Sequence, residues 1–259
     1  MSNTTPSDTA PEHASAVRVV LIAITKHGAQ QAAELARQLP TASICVADKF
    51  APLMAGVANP VRAYGGAFRE EIAQLFADFD QLVFFVSLGA VVRLIAPHMK
   101  NKDEDPGVLV VDDAGQFVIP VLSGHVGGAN ACAELIAALL GGTAVLTTAS
   151  DVGKTIAVDI LGRELGWKVE CPKINITRVS AAVVNEEPVA VVQEAGSPHW
   201  WTRPTPLPAS IHKFTRLEDV DLAHFKAVLW ITHAEVAPER WQELHERLVV
   251  YRPPQGQGA

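Results

Sequence analysis

The chain has 259 residues, 49% of them hydrophobic, enough for one large or two smaller α/β domains with real cores and too many for a largely disordered protein. Its formal net charge of −7 comes with no cluster of Lys and Arg long enough to track a nucleic-acid backbone, which excludes nucleic acid as an expected partner. Cys45, Cys132 and Cys171 make no C-x-x-C pair and the histidines are dispersed, so no disulfide framework, structural zinc site or protein-held catalytic metal is expected.

Residues 1–16, rich in Ser, Thr, Pro and Ala, lack the basic start and apolar centre of a secretory signal and read as a floppy tail. No apolar run reaches the roughly 20 residues that cross a bilayer, because the longest candidate, residues 131–148, is broken by Glu134, Gly141 and Gly142. The expectation is a soluble, cytoplasmic protein with no membrane partner. Residues 17–24 are a buried-strand pattern, and Thr25-Lys26-His27-Gly28 opens an alanine-rich helix to Leu39. A short strand at 43–46 precedes a Pro- and Gly-punctuated excursion over 48–66 read as loop. A helix over 68–79, a strand over 82–86, and Ser87-Leu88-Gly89 turning into a helix over 90–96 form a second strand-glycine-helix unit. A charge run with Lys100, Lys102, Asp103, Glu104 and Asp105 then ends in Pro106-Gly107. Apolar runs at 108–111 and 117–122 flank Asp112-Asp113-Ala114-Gly115, a hairpin signal.

Next come the loop Ser123-Gly124-His125-Val126-Gly127-Gly128-Ala129-Asn130, a helix over 131–140 closed by Gly141-Gly142, and a strand over 144–147. A polar cluster, Thr147-Thr148-Ala149-Ser150-Asp151, leads to a predicted helix over 155–165, a helix over 173–184 and a strand over 188–192. Residues 197–209, with four prolines and two tryptophans, read as an exposed, partly rigid loop. A strand over 225–232, an amphipathic helix over 238–248 and a strand over 249–251 complete the pattern. The alternation implies an α/β fold, a mainly parallel sheet covered by helices on both faces over 17–148, a second smaller α/β domain over 149–252, and a tail over 253–259.

Three glycines in the 123–130 loop let the backbone approach a bound group and bare its N–H donors, and the helix start adds partial positive charge, so the loop suits a carboxylate or phosphate. A tight turn with its histidine in solvent is the competing reading. Ligands of open α/β sheets gather at the carboxyl ends of strands, so the segments around Gly89 and Arg93, 123–130 and 147–151 are expected to face one hollow there. His125, with an ordinary pKa near neutrality, is the candidate general acid or base, and Asp151 an acid, base or orienting group. Ser123 lacks the strained G-x-S-x-G setting of a nucleophile and is read as a hydrogen-bonding residue. Asp105 is a weaker candidate to polarise water, against a solvated charge run. Arg93 has the fork geometry for a carboxylate, against a snorkelling surface arginine.

Gly89-Ala-Val-Val-Arg93-Leu-Ile-Ala-Pro97, Lys102-Asp-Glu-Asp105-Pro106, Val111-Asp112, Ser123 to Asn130 and Thr147 to Asp151, in this order and spacing, resemble the cobalamin biosynthesis protein G family over about residues 17–251. The resemblance implies a cobalt-precorrin-5A hydrolase, which opens the ring-A lactone and releases acetaldehyde to give cobalt-precorrin-5B. The cobalt is then carried by the cobalt-tetrapyrrole substrate, with no cofactor held by the protein. The residue reading fits: His125 with Asp151 or Asp105 for proton transfers, the loop of Ser123, Gly124, Gly127, Gly128 and Asn130 with Thr147 and Thr148 at the substrate, and Arg93 and Lys102 on its carboxylates. A net-acidic chain binding a polycarboxylate also calls for a locally positive cleft. Two departures stand out: many family members continue past a segment like Val249 to Pro253 into a third domain, and Ser150 stands where Thr is usual. The expected partners are therefore a separate polypeptide like that C-terminal domain, or other corrin-pathway enzymes. The rival reading is a non-catalytic corrinoid-binding and channelling module, or one subunit of a split enzyme. A nucleotide-binding protein is disfavoured, since G-x-x-G-G lacks the dinucleotide spacing and there is no Walker lysine.

Overall fold

The structure, a computed structural model, describes residues 17–256; the expected tail over 1–16 and the last three residues of that over 253–259 lie outside the described residues. The apolar runs of the first half become strands buried on both faces. In chain order these are β1 (Val19–Ala23), α1 (Lys26–Gln38), β2 (Ser43–Ala47), β3 (Val61–Tyr64), α2 (Ile72–Asp78), β4 (Gln81–Phe85), α3 (Leu88–Ile95), β5 (Gly107–Val111), β6 (Phe117–Leu122), α4 (Ala129–Leu140) and β7 (Thr143–Ala144). They form one seven-stranded sheet in the order β3-β2-β1-β4-β5-β6-β7. Successive side chains alternate faces, so Leu21, Val83 and Leu109 pack against the alanines of α1 and α4. Val20, Ile22, Leu82 and Phe84 pack on the other face with Ile72, Leu75, Val91 and Ile95 of α2 and α3. The excursion over 48–66 holds an edge strand, β3, that the sequence reading missed because Val61, Arg62 and Ala63 are exposed and give no apolar alternation.

The hairpin between β5 and β6 decides where the site lies. β6 is antiparallel to β5, with Leu122 opposite Val108 and Val118 opposite Val111. Its far end therefore leaves the sheet at the amino ends of β4 and β5, and β7, parallel to β6, delivers the following polar cluster to the same edge. Ser87 to Arg93 leaves from the carboxyl end of β4, at the opposite edge. The expected meeting of three loops at the carboxyl ends is corrected accordingly: two of them meet, at the amino ends. The strand expected over 144–147 is reduced to the two residues of β7.

The second sheet follows α5 (Ala149–Val152) and comprises β8 (Lys168–Glu170), β9 (Val189–Gln193), β10 (Ile211–Phe214), β11 (Ala227–Ile231) and β12 (Leu248–Arg252) in the order β10-β9-β11-β12-β8, parallel apart from β8. Helices α6 (Lys173–Val184) and α7 (Pro238–Glu243) belong to this half. The helix expected over 155–165 does not form; turns and a 3₁₀ segment, Arg163–Leu165, take its place. Gly162 there has φ +73°, and the ring of Trp167 lies directly against it, a position with no room for a Cβ. Residues 197–209 form the expected loop, exposed at Pro198, His199, Thr202, Pro204, Pro206 and Ala209, but it is pinned between these positions. Trp200 is buried and its indole N–H donates to Gln193 Oε1 at 2.8 Å, Trp201 donates to the Thr205 carbonyl at 2.7 Å, and Leu207 packs on the core, so the segment is a strap fixed across the domain. No helix among the described residues is long and apolar enough to cross a membrane.

Candidate active site

Between β6 and α4 the chain turns through the glycine loop, with Gly128 at φ +80° as the residue before the helix. The turn closes on its own backbone: Gly128 N–H donates to the His125 carbonyl at 2.9 Å, Ala129 N–H to Ser123 at 3.2 Å and Asn130 N–H to Gly124 at 3.0 Å. The amides of Gly124, His125, Val126 and Gly127 find no acceptor among the described residues, which leaves them as donors for an incoming anion. Gly124 is required by space, because a Cβ there would lie 2.6 Å from Asn130 Oδ1.

Asn130 is buried, and its amide nitrogen donates to Asp151 Oδ2 at 2.7 Å and to Thr148 Oγ1 at 2.8 Å. Thr148, in turn, donates its hydroxyl to Asp151 Oδ2 at 2.6 Å, and Arg203 Nη2 reaches Asp151 Oδ1 at 2.7 Å from the strap of the second domain. His125 Nε2 lies 3.1 Å from the same Asp151 Oδ2, and its Nδ1 lies 3.2 Å from Asp159 Oδ1. The Asp151 carboxyl is held far below the usual carboxylate range, first by the hydrogen bond from His125 and then, against the cost of burial, by Thr148, Arg203 and Asn130. The His125 imidazole is pushed up to about 9 by its bonds to Asp151 and Asp159, with burial opposing. At neutral pH it is an imidazolium clamped between two carboxylates, and it has no free lone pair with which to act as a base. Burial works to raise Asp159, but its bond to His125 leaves it below the ordinary value.

Other predicted residues take humbler places. Asp105 is buried with both carboxylate oxygens accepting from Lys100 N–H, at 2.9 and 3.1 Å, and its backbone carbonyl lies beneath Gly127, so it braces the loop. Lys102 is exposed and near enough to help hold Asp159 and Asp103 ionised. The Gly127 carbonyl accepts from the Gln81 amide, Ser123 has a buried hydroxyl without a partner among the described residues, and Thr147 is exposed. Arg93 donates to the Gly89 carbonyl of its own helix at the far edge of the sheet and does not join the group.

Sequence reasoning missed Asp159, Arg203, Arg163 and Ser150. Arg163 Nη1 donates to the His125 carbonyl at 3.1 Å, and Ser150 Oγ lies 3.1 Å from His125 Nε2. All but Ser150 lie in the turns and strap that carry no periodic pattern.

A cleft of about 490 Å³ opens over this group between the two halves, with His125, Asp151 and Thr155 on one side and Trp201, Thr202 and Arg203 on the other. A family model described as Cobalamin synthesis G N-terminal matches residues 70–151, and one described as Cobalamin biosynthesis central region matches 156–253, so the two meet at this cleft. The chain belongs to the cobalamin biosynthesis protein G family. It is 42% identical over 90% of its length to a cobalt-precorrin-5A hydrolase of Priestia megaterium, and covers 62% of that protein. It is 33% identical over 71% of its length to one of Salmonella typhimurium, covering 48% of it. The chain thus spans about half to three fifths of these two curated relatives. A solved structure of a candidate cobalamin biosynthesis protein G homolog from Sulfolobus solfataricus superposes on 92% of this chain and 60% of that one with a TM-score of 0.48 at 18% identity.

Within this family member, the blocks at 123–130 and 147–151 build the cleft, whereas the G-x-x-x-R block stands apart. The expected positive cleft is corrected. Arg163, Arg203 and the imidazolium are matched by Asp151, Glu134 and Glu164 on its walls, and both arginines are already engaged. Of these carboxylates only Asp151 holds His125 charged; Glu134 and Glu164 supply the rest of the balance on the walls. Among the described residues no group of His, Cys, Asp and Glu converges on a point where a metal ion would sit.

Proposed function

We propose that this chain carries the reactive centre of a cobalt-precorrin-5A hydrolase of cobalamin biosynthesis, opening the ring-A lactone and cleaving the carbon-carbon bond that frees acetaldehyde. The observation that carries the reading is the His125 imidazolium, clamped by Asp151 and Asp159 beside the free amides of Gly124 to Gly127. Water adding to the lactone carbonyl builds negative charge on oxygen, which those amides stabilise, and the proton it sheds passes to solvent through the open cleft as the new carboxyl group ionises. His125, being charged, passes the Nε2 proton it shares with Asp151 to the departing alkoxide oxygen and becomes neutral. The new hydroxyl then returns a proton to His125 as its C–O bond becomes the aldehyde carbonyl, and the electron pair of the broken carbon-carbon bond stays with the macrocycle. Asp151, with four donors on it, remains ionised throughout and serves as a fixed anchor. The cobalt belongs to the substrate.

The test is incubation of the purified chain with cobalt-precorrin-5A and assay of acetaldehyde, alone and with the remaining portion of a longer relative as a separate polypeptide. His125→Ala should abolish release while corrinoid binding persists. Release unaltered by His125→Ala would end the assignment; binding without release by the unsubstituted chain in either condition would favour a carrier of corrinoid intermediates.

A further inference from the structure

The glycine loop has two sides. Beyond Gly127 and Gly128, away from His125, a second and larger hollow of about 930 Å³ runs along the amino ends of β1 and β4, and the mechanism above makes no use of it. Most of its wall is apolar, with Leu39, Phe76 and Phe79 on one side and Val126, Cys132 and Leu135 on the other, while Arg18, Asp80, Gln81, Glu104 and Asp105 also line it. Burial pushes the Cys132 thiol up to about 12, so this wall offers no thiolate nucleophile. The hollow and the His125 cleft share Gly128, Ala131 and Arg163 as a common boundary. That boundary is low, because Gly128 has no side chain and Ala131 only a methyl group. Arg163 lines both hollow and cleft, and although one guanidinium nitrogen is engaged by the His125 carbonyl, the others have no acceptor among the described residues.

We infer that this hollow seats the apolar face of a flat tetrapyrrole macrocycle, whose reacting edge crosses the Gly128–Ala131 ridge into the His125 cleft while Arg163 takes a peripheral carboxylate at the crossing. The inference rests on the proposed function for the identity of the macrocycle. The rest comes from the molecule. The cleft is about half the volume of the hollow and is charge-balanced, so it suits the polar, reacting edge of a large ligand. The hollow has the size and the largely apolar walls that a macrocyclic face needs, and two of its charged groups, Arg18 and Asp80, are paired with each other. Leu135, half exposed on α4, is an uncovered apolar side chain beside the ridge, which such a face would cover.

The test uses the full chain and uroporphyrin III, a flat polycarboxylate tetrapyrrole, with dissociation constants from porphyrin fluorescence anisotropy. Leu135→Asp, at an exposed helix position where folding should survive, puts a like charge against the ligand and should weaken binding about tenfold. The control Val92→Asp, at an exposed apolar position on α3 at the opposite edge of the sheet, should weaken it by less than twofold. In the acetaldehyde assay Leu135→Asp should raise KM with kcat retained. The inference is overturned if the unsubstituted chain does not bind uroporphyrin III, or if Leu135→Asp binds as well as the unsubstituted chain. A chain that binds through Leu135 yet releases no acetaldehyde would sink the hydrolase reading and leave the seat standing. Release from cobalt-precorrin-5A that is indifferent to Leu135→Asp would sink the seat and leave the hydrolase.

Discussion

Asp159 Oδ1 lies 3.2 Å from His125 Nδ1, the ring nitrogen that Asp151 does not reach. Two carboxylates on one imidazole, one per nitrogen, keep it charged where most histidines are neutral, and this fixes both its chemistry and its pH response.

The folded-state pKa of His125 is about 9, above its ordinary 6.5, so the stability it contributes is fully present below about pH 6.5 and is lost as pH rises through about 9. Thermal unfolding followed from pH 6 to 10 should show a midpoint falling over this window, and acetaldehyde release should decline with the same limb. Asp159→Asn removes one of the two charges that hold the proton, so the limb should move to lower pH. An activity profile flat to pH 10 would contradict the clamp.

Asp151 is the most heavily bonded carboxylate of the site, and its neutral replacement leaves Arg203 facing no charge and His125 held by Asp159 alone. Asp151→Asn should cost about 3 kcal/mol of unfolding free energy, in the range for breaking a largely buried pair. Arg203→Ala leaves Asp151 its other three donors and should cost about 1 kcal/mol. It should also loosen the strap, visible as faster proteolysis within residues 197–209. Urea titration of both variants checks the ranking; equal losses would mean that Arg203 and Asp151 act as an isolated pair rather than as part of the network.

The architecture was legible where burial imposes a pattern. Continuous apolar runs such as residues 82–85 gave the parallel strands, and Asp112 to Gly115 gave the hairpin. That same hairpin already implied that Ser123 to Asn130 leaves the sheet at the amino edge, a step of topology that the general preference of ligands for carboxyl ends obscured. His125, Asn130, Thr148 and Asp151 were visible because glycines and a strand end marked them. Asp159 and Arg203 were not, since each acts through a contact with a residue tens of positions away, and nothing local distinguishes such a side chain from a solvated one. The strap over 197–209 was legible as a loop, but its anchoring was not, for a related reason. Its prolines signal loop, while the burial of Trp200 depends on Gln193 and a core formed by distant strands.

Arg93 tests the corrected geometry. It sits on α3 at the carboxyl edge, exposed and bonded to its own helix, with the sheet between it and His125. Arg93→Ala should leave the KM and kcat of acetaldehyde release within about twofold and the melting temperature nearly unchanged, as for a surface substitution. A rise in KM of tenfold or more would return Arg93 to the substrate and require a different pose.

The two glycine positions of the loop separate space from backbone conformation. At Gly124 φ is ordinary, and the constraint is Asn130 Oδ1, 2.6 Å from where a Cβ would stand. Gly124→Ala must displace the Asn130 side chain, which takes its donor away from Asp151 and Thr148, so acetaldehyde release should fall at least tenfold with a stability loss of about 2 kcal/mol. At Gly128 the main constraint is φ +80°, and Gly128→Ala should cost about 1–2 kcal/mol through the left-handed backbone, with Gln81 Nε2, 3.2 Å from where the Cβ would stand, having to give slightly. Asn130→Ser serves as the check on the first claim. If Asn130 is what Gly124→Ala disturbs, the double variant should lose little more than Asn130→Ser alone, whereas additive losses would place the effect of Gly124 elsewhere in the loop.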